Sequence, residues 1–290
     1  MRKLFSILSL LVFHFGQSQY LDLAKLEYTY LPGKDANFEY QRQRALFNIP
    51  FKIKDQGYFF AGLDFSNIQF NYKEDQDSFN KSETENFKSL DLAFSYIHEL
   101  KNDWYIGAQI APSFTSNLEG RLIRKDFLVS GLLVFVKNKM DKEEVKKPNR
   151  IIAGIYYVTT TRFPGPIPFF SYYRKFHEKW SYTIGAPSSS LKYYFNEKNR
   201  LQLYAEGDGF NSNIQNGVLI NDEIFADRLR MFLILAGLRY EYSISDYFEA
   251  YVNMTRTVFA DVQLREGKEN VFFPSIDNAM LYRIGVRCRI

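Results

Sequence analysis

Cysteine is almost absent: the 290 residues contain one, Cys288, so no intrachain disulfide framework is available. It sits on the apolar side of an alternating run, where it reads as a small hydrophobe rather than a reactive thiol. Histidine is scarce too. Beyond His14 only His98 and His177 occur, and with a single cysteine they make no cluster at zinc-ligand spacing. No metal and no cofactor is expected.

Long apolar runs are also missing. After the first 18 residues no window supplies the roughly 20 uninterrupted apolar positions that a membrane-spanning helix needs. If the chain enters a membrane, it does not do so as helices. An excess of one charge is missing as well: losing Arg2 and Lys3 with a leader takes Lys+Arg from 37 to 35 against 33 Asp+Glu, a net of +2. That balance gives no case for nucleic acid or a general polyanion trap. No linker, repeat or composition shift marks a second domain, and helical periodicity is almost nowhere to be found.

What is present begins at the N-terminus. Residues 1–18 have the three parts of a secretory signal: Arg2 and Lys3, an apolar run from Leu4 to Phe15, and small residues Gly16 and Ser18 before a cleavage site. The expected division is a signal peptide over 1–18 and one β-domain over 19–290. Aromatic residues make up 18% of the chain, yet mean hydropathy is only −0.30. Alternating lipid-facing and lumen-facing positions produce that combination, and a sandwich with one wet face does so too.

The last ten residues, 281–290, set the pattern. Tyr282, Ile284, Val286, Cys288 and Ile290 share one face, and Leu281, Arg283, Gly285, Arg287 and Arg289 share the other, because side chains alternate along a strand. Similar alternation recurs in Ala45, Phe47, Ile49, Phe51 and Ile53 against Arg42, Arg44, Asn48 and Lys52, and in Leu90, Leu92, Phe94 and Tyr96 against Asp91 and Ser95. The run 228–242 is read as the longest strand. Short turns alternate with longer connections, residues 137–150 excepted, and the long polar loops are placed at 71–85, 211–227 and 261–278. Counting 180–195 as a hairpin gives fourteen strands; counting it as a bent edge gives twelve. Trp104 and Trp180 both follow short turns, where a periplasmic aromatic girdle belongs.

With these features the chain resembles the uncharacterised single-domain outer-membrane β-barrel proteins of Gram-negative bacteria that are grouped as a domain of unknown function. The resemblance spans the whole chain. It implies an all-β, closed antiparallel transmembrane barrel of about 14 strands in the outer membrane, in contact with its lipid. It also implies insertion by the barrel-assembly machinery through strand 281–290. It implies no reaction.

The chemistry-bearing residues agree with that silence. An outer-membrane hydrolase needs a serine or aspartate with a histidine near the outer rim, whereas His98 and His177 fall beside short turns at the other end. No enzyme activity is expected. Residues 207–210, Gly-Asp-Gly-Phe, lack the later acidic ligands of a calcium loop and are read as a turn. Glu74, Asp75, Asp77, Glu83 and Glu85 are read as a solvated loop. Arg42, Arg44, Asp64, Asp91, Arg239, Glu241, Glu249, Arg283, Arg287 and Arg289 are the candidate lumen-lining residues, joined by Lys25 and Glu27. Closure brings the arginines of the last strand beside Lys25, Arg42 and Arg44 as a basic stripe. Such charges either pair and block the lumen or line a path that favours small anions. Three functions stay open: a narrow passive channel, a structural or surface-interaction barrel without transport, and a soluble secreted β-protein.

Overall fold

A computed structural model describes residues 22–53, 57–73, 80–140, 147–158, 166–220, 224–266, 269–272 and 278–289. The expected signal peptide, the turn at 54–56, the acids Glu74, Asp75 and Asp77, and residues 159–165 lie outside them.

The chain runs as β1 (Asp22–Leu31), β2 (Phe38–Ile53), β3 (Gly57–Tyr72), β4 (Asn86–Glu99) and β5 (Trp104–Ser116). Next come β6 (Phe127–Lys139), β7 (Asn149–Val158), β8 (Ile167–His177), β9 (Trp180–Gly185) and β10 (Ser188–Tyr194). It ends with β11 (Asn199–Ile220), β12 (Ile224–Ser243), β13 (Phe248–Glu266), the short β14 (Glu269–Phe272) and β15 (Met280–Arg289). Each strand pairs antiparallel with the next, and β13 pairs with β15 past β14. The ring closes where β15 meets β1, with Lys25 opposite Arg287 and Tyr28 opposite Ile284. Fourteen strands therefore form the barrel, and β14 is a spur on β13.

Closure is favoured because one face of every strand is apolar and has nothing inside to pack on. Phe47, Ile49, Phe94, Phe135, Ile155, Leu203, Leu238, Val252 and Ile284 all stand exposed on the outside. In water such a belt would be a large penalty; in hydrocarbon it is the stable arrangement, while the closed ladder leaves no unpaired sheet edge at the seam. A soluble sandwich would have buried these side chains between two layers, so that alternative is set aside.

Two of the three long loops are strands. Residues 211–220 continue β11 and 224–227 open β12, which leaves 221–223 as the connection; β13 and β14 occupy much of 261–272. The longest strand is accordingly β11, at 22 residues, and not the run 228–242. Polar side chains misled the reading here: Asn213 and Gln215 hydrogen-bond to the buried carboxylate of Asp126 and do not mark a loop.

The upper part of β11 also leaves its place in the ring. Beyond Glu206, which pairs with Ser188 of β10, its next partner on that side is Ser116 of β5, reached in parallel by Asn213. Asp126, in the 3-10 turn Arg124–Asp126, pins the crossing: its carboxylate accepts 2.7 Å hydrogen bonds from the side-chain amides of Asn213 and Gln215. Under this crossing lies a packed apolar core. Leu31, Phe38, Tyr40, Ile68, Phe70 and Phe87 from one side meet Ile214, Leu229, Leu233, Leu235, Leu264 and Leu281 from the other, each 2% exposed or less. Strands β5 to β10 contribute nothing to this cluster. Its rings pack mostly tilted or edge-on, as Phe38 on Phe70 at 5.2 Å and Phe70 on Phe87 at 6.2 Å.

Candidate functional site

Below the apolar core the interior becomes ionic. Alternation sends Arg42 and Arg44 of β2, Lys25 and Glu27 of β1, and Arg283 and Arg287 of β15 inward side by side. Carboxylates come from β13, which pairs with β15, from β12 beside it, and from β11 beyond. Arg42 donates two parallel hydrogen bonds to Asp208, at 3.0 and 2.8 Å. Arg283 holds the same carboxylate, reaches Glu206 at 2.6 Å and donates to the Thr29 hydroxyl at 3.1 Å. Glu27 lies 3.7 Å from Arg42 and 3.6 Å from Arg283, and its other oxygen accepts a 2.6 Å bond from the Tyr251 hydroxyl.

A second knot lies nearer the end that carries Asp22 and Arg289, here called the lower end. Arg287 pairs with Glu249 and, at 2.9 Å, with Glu241. Lys192 reaches Glu241 at 2.7 Å, and Arg200 pairs with Glu249. Arg289 joins Asp22 and Glu249, each at 3.3 Å. Arg239 lies 4.4 Å over the Tyr204 ring, donates to Asn253 at 3.0 Å and meets Glu206 at 3.3 Å. The arginines of the basic stripe are therefore paired with carboxylates, from β11 for Arg42 and Arg283, from β12 and β13 for Arg287, and from β3 for Arg44. Each ion loses water on burial, and only several partners per charge offset that cost, which is why the ions form knots and not isolated pairs.

The remaining candidates sit apart. Arg44 turns to Asp64, with its Nε 2.9 and 3.0 Å from the two oxygens. Asp91, opposite Asp64 on β4, accepts a 3.2 Å bond from Ser89. Trp104 opens β5 beneath the Lys137 ammonium at 5.1 Å, and Trp180 opens β9 against Tyr193 at 4.7 Å; both occupy the lower end. His98 lies 3.4 Å from the Tyr96 hydroxyl, and His177 accepts from the Lys179 backbone at 3.1 Å, both at that same end.

Sequence reasoning missed Glu206, Asp208, Lys192, Arg200, Tyr204 and Tyr251. The reading of 207–210 as a turn is corrected: these residues are mid-strand, and Asp208 points inward between two arginines. The period-two run Arg200, Gln202, Tyr204, Glu206, Asp208 was a usable signal, interrupted to the eye by Gly207 and Gly209.

Two further features define the site. Strands β9 and β10 are only 6 and 7 residues long. Near 3.3 Å per residue and tilted about 40°, such a hairpin rises roughly 15 Å, against an apolar belt about 25 Å tall. From Gly207, whose N–H donates to Pro187 at 3.2 Å, up to Asn213, the ladder on the β10 side of β11 is interrupted among the described residues. The wall is low there. Directly behind it lies a cavity of about 230 Å³, lined by Glu206, Gly207 and Asp208 of β11 and by Lys25, Glu27, Arg42, Arg44, Arg239, Tyr251, Arg283 and Arg287. Elsewhere in the ring, register sends Leu132 and Val134 of β6, Tyr156 of β7 and Phe169 of β8 inward, and Tyr156 is 40% exposed; none of the four lines the cavity.

A family described as Domain of unknown function (DUF6268) matches residues 9–289. The chain belongs to that family. The family's description assigns it no function. Among solved structures, the chain is similar to an outer membrane channel from Pseudomonas putida F1, with a TM-score of 0.46 and 12% identity over 95% of this chain and 100% of that one. It is similar to LpxR from Salmonella typhimurium at 0.42 and 6%, covering 92% and 100%. It is similar to the NanC porin at 0.40 and 8%, again covering 92% and 100%. Among curated proteins none matches. Among the described residues of this DUF6268 barrel, no group of three His, Cys, Asp or Glu side chains is placed to hold a metal.

Proposed function

We propose that the protein is a passive, narrow channel for small solutes in the outer membrane of a Gram-negative bacterium, opening sideways and not along its axis. On this reading it is exported by residues 1–18, inserted through strand 281–290 by the barrel-assembly machinery, and set with its lower end in the periplasm. The observation that carries the proposal is the pairing of a packed apolar core across the upper lumen with a short β9–β10 hairpin beside a polar cavity. An axial path would have to part side chains that expose almost nothing to water. A path over the hairpin meets no strand among the described residues. Backbone turned out of a ladder at membrane depth is tolerated where it lines a water-filled space, which is what the hairpin tip would do.

A non-transporting structural barrel is the competing reading, favoured by the same core and by the density of ion pairs. Conductance in a planar bilayer separates the two. The channel reading expects a small steady conductance that disappears when β9 and β10 are each lengthened by four alternating residues. An unchanged conductance in that variant would place the route elsewhere, and none in the parent protein would favour the structural barrel.

A further inference from the structure

Six cationic side chains line the chamber behind the low wall, and five are committed. Arg42 and Arg283 share Asp208, Arg44 holds Asp64, Arg239 holds Glu206, and Arg287 holds Glu241 and Glu249. The sixth, Lys25, makes no hydrogen bond or ion pair within 4 Å among the described residues. It nevertheless lines the same cavity, directly opposite Arg287 on the neighbouring strand.

The remainder of the lining holds Glu27, Glu206 and Asp208, so cations outnumber carboxylates in the space itself. A chamber of about 230 Å³ holds roughly seven or eight waters at ~30 Å³ each, smaller than the usual site for a drug-sized ligand. The lining is thus almost wholly polar, and Lys25 is its one uncommitted cation among the described residues.

From this geometry we infer that the chamber is a binding site for a small organic carboxylate, and that Lys25 is the residue that takes the carboxylate. This rests on the side-opening channel reading. The committed arginines supply a positive field but cannot turn to a ligand without breaking their own pairs; Lys25 can, because its ammonium is a flexible donor with nothing to give up.

The test uses the full chain in detergent, with benzoate and its neutral isostere benzamide as probes, read by calorimetric titration. Benzoate is expected to bind saturably and benzamide at least tenfold more weakly. Lys25→Met should weaken benzoate by roughly tenfold to a hundredfold, the worth of one charge-assisted hydrogen bond, and Lys25→Arg should restore most of it. Equal binding of the two probes, no saturable binding of benzoate, or full affinity in Lys25→Met would each overturn the inference. The probe comparison needs no variant, so a folding defect in Lys25→Met leaves the test intact. The channel reading fails separately: charge-dependent benzoate binding in a barrel without conductance would leave the site standing and remove the route.

Discussion

Arg42 on β2 and Asp208 on β11 are 166 residues apart in sequence and meet across the lumen through two parallel hydrogen bonds, both side chains largely out of solvent. This pair, with Arg283 on the same carboxylate, ties the first hairpin to the far wall beneath the apolar core. Removing Arg42 leaves the buried Asp208 carboxylate with Arg283 as its one remaining cation among the described residues, itself shared with Glu206. Arg42→Met is expected to lose about 3–5 kcal/mol, read from the denaturant midpoint of the heat-modifiable gel shift. Arg42→Met with Asp208→Leu should recover much of that loss, because the charge to be desolvated is gone.

Charge reversal at Arg42, Arg44 and Arg287 would press new carboxylates against Asp208, Asp64, Glu241 and Glu249. Such a triple variant should fail to reach the heat-modifiable folded form. Folded protein in normal yield would contradict the pairing described above.

The outward face gives a different expectation. Ile284, near the middle of β15 and 56% exposed, should cost about 2–4 kcal/mol as Ile284→Arg if it faces hydrocarbon at the midplane, whereas Leu122→Arg in an upper loop should cost about 1 kcal/mol or less. Unfolding titrations in lipid vesicles make the comparison, and equal costs would argue against a membrane belt at β15.

Gly185 has φ of +139°, and a Cβ there would fall 2.0 Å from the Phe170 carbonyl oxygen. Gly185→Ala should therefore unseat the tip of the β9–β10 hairpin from β8, where Ala186 N–H donates to that same oxygen at 2.9 Å. A loss of about 1–3 kcal/mol and faster proteolysis at 185–190 are the expected readouts. Wild-type resistance to protease would mean the hairpin is held some other way.

In the apolar core, Phe70 touches Phe38, Tyr40 and Phe87. Phe70→Ala together with Phe87→Ala should open space along the axis and raise planar-bilayer conductance well above the parent value, besides costing about 3–5 kcal/mol for each ring lost. Conductance at the parent level would mean the core is not what closes the axis.

The barrel itself was legible because alternation is a local signal: the outward set around Phe47, Phe94, Leu238 and Ile284 and the inward set around Arg42 and Arg287 follow from a period of two and nothing else. The partners of those inward charges were not legible. Which carboxylate meets Arg42 depends on the stagger of strands on opposite walls, and the relevant one, Asp208, lies between glycines that look like a turn. Nor could the crossing of β11 onto β5 be read, since Asn213 and Gln215 carry polar side chains that serve equally well in a loop or as hydrogen-bond partners for Asp126. The shortness of β9 and β10 was visible in the spacing, but its meaning required knowing that the cavity stands behind it.

Electron paramagnetic resonance accessibility at the hairpin tip tests the side opening most directly. Nitroxides on Ala186→Cys and on Leu203→Cys, each in a Cys288→Ser background and reconstituted in lipid, should differ. Leu203, outward on β11 and 56% exposed, should collide with oxygen and not with a water-soluble nickel chelate, whereas Ala186 should collide with both. An Ala186 label as dry as Leu203 would mean the wall is sealed at that height and the chamber has no lateral mouth.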